Sequence, residues 1–210
     1  MKTNAILFLL LSGIVTSCGW VSAAKETADG YQQMTQAARN VSEGTEAINK
    51  KVEERRAKGD TLALPFRTLA QFMPAEVAGY ETDGEPSGQT TNNEGFSFSS
   101  YELKYKKGEE SEVKIELADY NASAALLSMA TVAMSSGMEI ENENQITKSW
   151  ATGMESVRGY EEFYKKGKQA KVTISVGERF LVQVSATNQE NTDFVKEVAQ
   201  SLKLKELTQY

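Results

Sequence analysis

Any chemistry in this chain is done without histidine and with a single cysteine, Cys18. The commonest general base, metal ligand and pH switch is therefore missing. The remaining candidates are carboxylates, thioethers and amines. Glu139, Glu141 and Glu143 alternate and would share one strand face. With Asp119 they could offer oxygen ligands to calcium, but they lack the glycine and ligand order of a calcium loop, and a solvated face explains them. Glu81-Thr82-Asp83-Gly84-Glu85 reads as a plain acidic turn. Met129, Met134, Met138 and Met154 offer sulfur to a soft metal such as copper. Met129 and Met134, however, fall on a nearly all-apolar helix, where methionine fills gaps. Lys104, Lys106, Lys107, Lys165, Lys166 and Lys168 gather at two expected turns. They could meet an anionic partner, and as solvated hairpin tips they would protect strand edges. Asp119-Tyr120-Asn121 sits at a strand-to-helix junction, where helix capping by Asn121 accounts for it. No glycine-rich phosphate loop and no Gly-x-Ser-x-Gly elbow occurs. The pattern points away from an enzyme, and no residue set calls for a cofactor or metal.

Cys18 is the residue with the clearest chemistry. Before it come Lys2, an apolar run over residues 5–11, and the small residues Ser12, Gly13, Thr16 and Ser17. The run is far shorter than the ~20 residues of a membrane-spanning helix. A charged start, a short apolar core and a small-residue end mark a segment that is removed. Val15-Thr16-Ser17-Cys18 resembles a lipobox, where bacterial signal peptidases cut before a cysteine that receives lipid. Each buried CH₂ of an acyl chain contributes about 0.8 kcal/mol, so several chains give stable anchoring. With Cys18 acylated, thiol catalysis, disulfides and Cys/His zinc sites are excluded. Trp20 could rest at headgroup level or serve as a passive linker residue. Gly19 follows the cysteine where inner-membrane retention would favour Asp, which points to the outer rather than the inner membrane of the envelope.

The full chain of 210 residues carries a net charge of −6, and loses one more positive charge with Lys2. An acidic chain has no electrostatic footprint for nucleic acid. The same charge gives no attraction to anionic lipid, so the membrane contact falls to the acyl chains. Length allows one good core.

These considerations divide the chain into a signal peptide at 1–17, a lipid-anchored helical spacer at 18–60, and one domain at 61–210. In the spacer, Tyr31, Met34, Ala38, Val41, Thr45, Ile48 and Val52 follow at spacings of three and four, a heptad stripe. Gly30 and Gly44 weaken that helix. Arg55, Arg56 and Lys58 suit a helix C-terminus, which Gly59 can cap. A helix over 24–58 would reach about 50 Å. It reads either as a stalk or coiled-coil contact, or as a spacer whose helix packs on its own domain.

In the domain, apolar spacing predicts a helix over 62–73, bounded by Pro65 and Pro74. Residues 78–94 are turn-rich. From Gly95 the period becomes two, and the change of parity between Phe96, Phe98 and Tyr101, Leu103, Tyr105 suggests a bulge at Ser99-Ser100. Further strands are predicted at 113–117, 139–150, 157–164, 172–176 and 180–186. Helices are predicted at 122–136 and 192–204, the last with a stripe of Phe194, Val195, Val198, Ala199 and Leu202. Tyr101 to Gly108 recurs as Tyr160 to Gly167, and Val113-Lys114-Ile115 as Val172-Thr173-Ile174, at one constant offset. Either two related β-β-α halves form one sheet, or two similar hairpins arose by chance. Short links make the sheet largely antiparallel, and the fold class is α+β, with helices covering that sheet.

Leu64-Pro65-Phe66, Phe72-Met73-Pro74, Gly79 and the hairpin into Asp119-Tyr120-Asn121 carry a resemblance to a Bacteroidetes-like family of uncharacterised bacterial lipoproteins. The element order is similar to small PsbP-like α+β domains. The resemblance implies an assembly or accessory role and brings no catalytic residues; fold likeness alone does not carry function. The expected function is a non-enzymatic envelope lipoprotein that binds another protein near the membrane. The alternative is a binding module for a small or lipidic ligand on Phe96, Phe98, Tyr101, Tyr105, Tyr160, Phe163 and Tyr164.

Overall fold

The computed structural model describes residues 20–210 apart from 122, 124, 129, 130, 132, 133, 135, 136 and 138, with side chains described from Thr35 onward, Ala37 apart. The signal peptide, Cys18, Met129 and Met138 lie outside the described residues, as do the side chains of Trp20, Tyr31 and Met34. The chain divides into two compact units, Met1–Thr35 and Gln36–Tyr210. Helix α1, Trp20–Ala57, runs through the boundary. The last turns of α1 group with the second unit.

That unit is built on an open nine-stranded sheet in which every pairing is antiparallel. The strands are β1 Glu81–Thr82, β2 Ser87–Asn93, β3 Phe96–Lys107, β4 Ser111–Asp119, β5 Ile140–Glu141, β6 Gln145–Trp150, β7 Val157–Tyr164, β8 Gln169–Val176 and β9 Phe180–Ala186. Their order is β1-β3-β4-β9-β8-β7-β6-β5, with β2 beside β3. Short hairpins join most neighbours, and such links permit only antiparallel pairing. After β4 the chain crosses to the far edge and returns by hairpins, so β9 closes the sheet against β4. The fold is α+β.

Alternation decides what each face buries. Val113, Ile115 and Leu117 of β4 share a face with Val172, Ile174 and Val176 of β8 and with Phe180, Val182 and Val184 of β9; all nine are fully buried. Covering them are the C-terminal helix Asp193–Ser201, through Val195, Val198 and Ala199, and the short helix α2, Phe66–Leu69, with the 3₁₀ turn Ala70–Phe72. The opposite face carries a smaller cluster, in which Ile48 and Val52 of α1 meet Leu181 and Leu127. The seam residues Ile48 and Val52 are thus spent on the chain's own domain. Gly44, a weak helix residue by propensity, is buried there.

Several sequence expectations shift. The turn-rich stretch contains strand β2, because its threonines and asparagines pair with β3 over its whole length. No bulge interrupts β3: its register runs unbroken through Ser99 and Ser100 against both neighbours. Ser97 and Ser99 simply share the inward parity of Tyr101, Leu103 and Tyr105, while Phe96 and Phe98 point to the other face. The helix expected over 62–73 begins only at Phe66, and Leu62 is exposed. The strand expected over 139–150 is a hairpin, turned where Asn142 Oδ1 accepts the N–H groups of Asn144 and Gln145. Both Lys-Lys-Gly segments form hairpin tips, but with different registers. Tyr101 faces Leu117, whereas its counterpart Tyr160 faces Thr173.

Candidate functional site

The most concentrated polar chemistry lies at one end of the sheet, where α1 runs into the domain. Helix α1 ends in a Schellman turn. The Asp60 N–H donates to the Arg55 carbonyl and the Gly59 N–H to that of Arg56, both at 3.0 Å. Gly59 takes φ +81°, the left-handed conformation that this cap needs and that glycine adopts without penalty. The turn reverses the chain and swings Asp60 toward the end of the sheet.

Asp119, the last residue of β4, and Arg179, just before β9, are both essentially unexposed. They pair through Arg179 Nε and Nη2, which donate to the Asp119 carboxylate at 2.9–3.1 Å. Arg179 Nη1 donates to Asp60 Oδ2 at 2.7 Å. Asp119 also accepts the backbone N–H groups of Leu64 and Asn121. Asn121 spends its carboxamide in both directions: Nδ2 donates to Asp60 Oδ1 at 2.7 Å and the Leu62 carbonyl at 3.0 Å, and Oδ1 accepts Arg55 Nε at 2.5 Å. Arg55 Nη2 reaches the Glu178 carbonyl. Nearby, Ser97 and Ser99 hydroxyls hold the backbone of Ala63 and Leu64. One lock therefore joins the end of α1, the linker, β4 and the β8–β9 turn.

Two arginines are balanced by two aspartates. Burial, and next the positive charge of Arg179, draw the Arg55 guanidinium below the usual arginine range, while Asp119, Asp60 and Glu178 oppose this. A buried ion pair adds little over well-packed apolar residues, but removal of one partner costs about 3–5 kcal/mol. Every oxygen of both carboxylates already accepts a hydrogen bond. The arrangement is suited to holding four segments in register. Asp60 borders two shallow clefts beside it. One, of about 240 Å³, is lined by Val52, Leu62, Asn93, Phe96 and Asn121. The other, of about 430 Å³, is lined by Lys51, Arg55, Lys58, Glu178 and Tyr210.

A second buried charge, Glu161 on β7, ties down the C-terminal helix. It accepts the Thr192 hydroxyl and pairs with Lys196 at 3.0 Å and Lys148 at 3.4 Å. Burial alone would raise its pKa. The bonds from Thr192 and Lys196 and the charges of Lys196 and Lys148 outweigh that and hold it below the ordinary glutamate value.

The structure disperses most residues with candidate chemistry. Asp119 is paired with Arg179, away from any set with Glu139, Glu141 and Glu143; among the described residues no group of three or more acidic side chains could hold a metal. Met134 and Met154 pack against the two hydrophobic clusters. Lys104, Lys106, Lys165 and Lys168 form ion pairs with Glu102, Asp83, Glu141 and Glu190, each with at least one exposed partner. The aromatics do not line one pocket: Tyr101, Tyr105 and Phe163 lie on one sheet face, and Phe96, Phe98, Tyr160 and Tyr164 on the other. Asn121 serves the lock, and among the described residues its side chain makes no capping bond. Asp60, Arg179 and Glu161 were not singled out by sequence reasoning, and Arg55 read only as a cation suited to a helix C-terminus. A usable signal existed: Asp119 and Glu161 continue the inward parity of apolar strands, where a charge requires a buried partner.

No protein-family model matches the chain, and no curated protein matches it. A solved structure of an uncharacterized protein from Mycobacterium smegmatis is similar over 72% of this chain and 95% of that one, at 7% identity and a TM-score of 0.31.

Proposed function

We propose that this chain is a non-enzymatic lipoprotein of the cell envelope, cut before Cys18 and held in the outer membrane by acyl chains on that cysteine. Its long N-terminal helix is the spacer, and its α+β domain is an accessory module that binds another protein. The two Lys-Lys-Gly hairpins are read as the related halves of a β-β-α pseudo-repeat. The observation that supports this reading best is the lock at the end of α1. Arg55 on the helix is bonded to Asn121 and Glu178, and Asp60 just beyond it to Arg179. That joint builds the last turn of the helix into the domain itself, which suits a mounted interaction module better than a loose tether does.

A second reading rests on the cleft of about 240 Å³ beside the exposed Leu62, where Phe96 and Val52 offer apolar surface to a small ligand. Native mass spectrometry of the protein drawn from its own envelope in mild detergent separates the two. A protein bound at fixed ratio supports the accessory module. A small mass that leaves on activation supports the cleft. The protein alone, with shortening of 24–58 changing no phenotype, removes the spacer role.

A further inference from the structure

An open sheet has two edges, and here they are built differently. One is β5, two residues long, with Glu141 paired to Lys165. Short, charged edges are how sheets avoid pairing with strangers. The other is shared by β1 and β2, which pair with successive stretches of β3; its longer part is β2, Ser87-Gly88-Gln89-Thr90-Thr91-Asn92-Asn93, seven residues with no charge and no proline. Six of them are exposed and Thr90 is half-buried. Among the described residues β2 pairs with β3 alone. Helix α2 lies over one face of this strand, where the Phe66 N–H donates to Thr90 Oγ1 at 2.9 Å.

The hairpin fixes which amides are free. Only Glu94 and Gly95 separate Asn93 from Phe96, so that pair closes the ladder with its own hydrogen bonds. Counting back in twos, Thr91 and Gln89 also bond to β3. Gly88, Thr90 and Asn92 turn their N–H and C=O groups outward. These three positions are symmetric about Thr90.

We propose that β2 is a self-association edge, on which a second copy of this chain pairs antiparallel about a two-fold axis at Thr90. Thr90 faces Thr90 of the copy, and Gly88 faces its Asn92. Every outward backbone group on both strands then gains a partner. Antiparallel pairing of identical strands is an isologous contact, which closes at a dimer. The uncharged sequence puts no like charges opposite one another, and Glu94 falls opposite Pro86. Gln89 of each copy faces Thr91 of the other, on the side away from α2.

The test uses the full mature chain in mild detergent, by sedimentation equilibrium. The wild type is expected to dimerise reversibly. Gln89→Lys with Thr91→Lys sets lysine against lysine across the axis, and Gln89→Glu with Thr91→Glu does the same with glutamate. Each is expected to weaken the dimer about tenfold, since like charges directly opposite are unfavourable. A mixture of the two variants is expected to restore a mixed dimer. In the wild type, hydrogen exchange at the amides of Gly88, Thr90 and Asn92 is expected to slow as concentration rises. A chain that stays monomeric with unchanged exchange at those amides overturns the proposal. So does a dimer indifferent to both variants, or a peptide from another protein found on β2 in place of the copy.

Discussion

Removing the Asp119 carboxylate is the sharpest perturbation of the lock. Asp119→Ala leaves Arg179 buried, with only the half-exposed Asp60 as counter-charge. It also strips the acceptor from the N–H groups of Leu64 and Asn121. Breaking one side of a buried pair costs about 3–5 kcal/mol, and orphaned amides push the value toward the upper end. Near 4 kcal/mol, a domain of this size loses roughly 8–16 °C in melting temperature. Thermal melts and urea titrations of the full mature chain measure this. The double variant Asp119→Leu with Arg179→Met removes both charges together. It is expected to cost less than the sum of the two single changes, by up to about 3 kcal/mol. A loss below about 1 kcal/mol for Asp119→Ala, or strict additivity in the double variant, would refute the lock.

Gly88→Ala is expected to destabilise by about 1–3 kcal/mol in the same urea titration, because the new Cβ would stand 2.4 Å from the Phe66 ring. Trimming Phe66 to Leu should recover part of that loss. Gly59→Ala meets no neighbouring atom but must hold φ +81°, so about 1–2 kcal/mol is expected, and less for Gly59→Asn. Glu161 has its folded pKa below the unfolded one. Its contribution is complete above the unfolded value and is lost as pH falls through the folded one. Stability measured against pH on the acid side should therefore fall less steeply in Glu161→Gln than in the wild type.

Much of the domain is legible in its alternation. The strand expected over 157–164 and the one over 180–186 have those bounds, since turn residues fence each run. The stripe of Val195, Val198, Ala199 and Leu202 is buried as its spacing requires. What escaped are elements whose reason is tertiary. Strand β2 has no apolar periodicity, and it forms because β3 offers a ladder and α2 a cover. The serines at 97 and 99 look like a break in parity, yet they are inward residues that bond the linker backbone. The lock is assembled from residues 55 to 179, and nothing local in Arg179 announces a partner sixty positions upstream. Asp119 alone, on the buried parity of β4, betrayed it.

The most direct test of the central proposal is the mass of the N-terminal peptide from protein isolated in its native envelope. A peptide that begins at Cys18 and carries acyl chains is the expected result. An unmodified cysteine, or a peptide that still contains Lys2, would contradict the account.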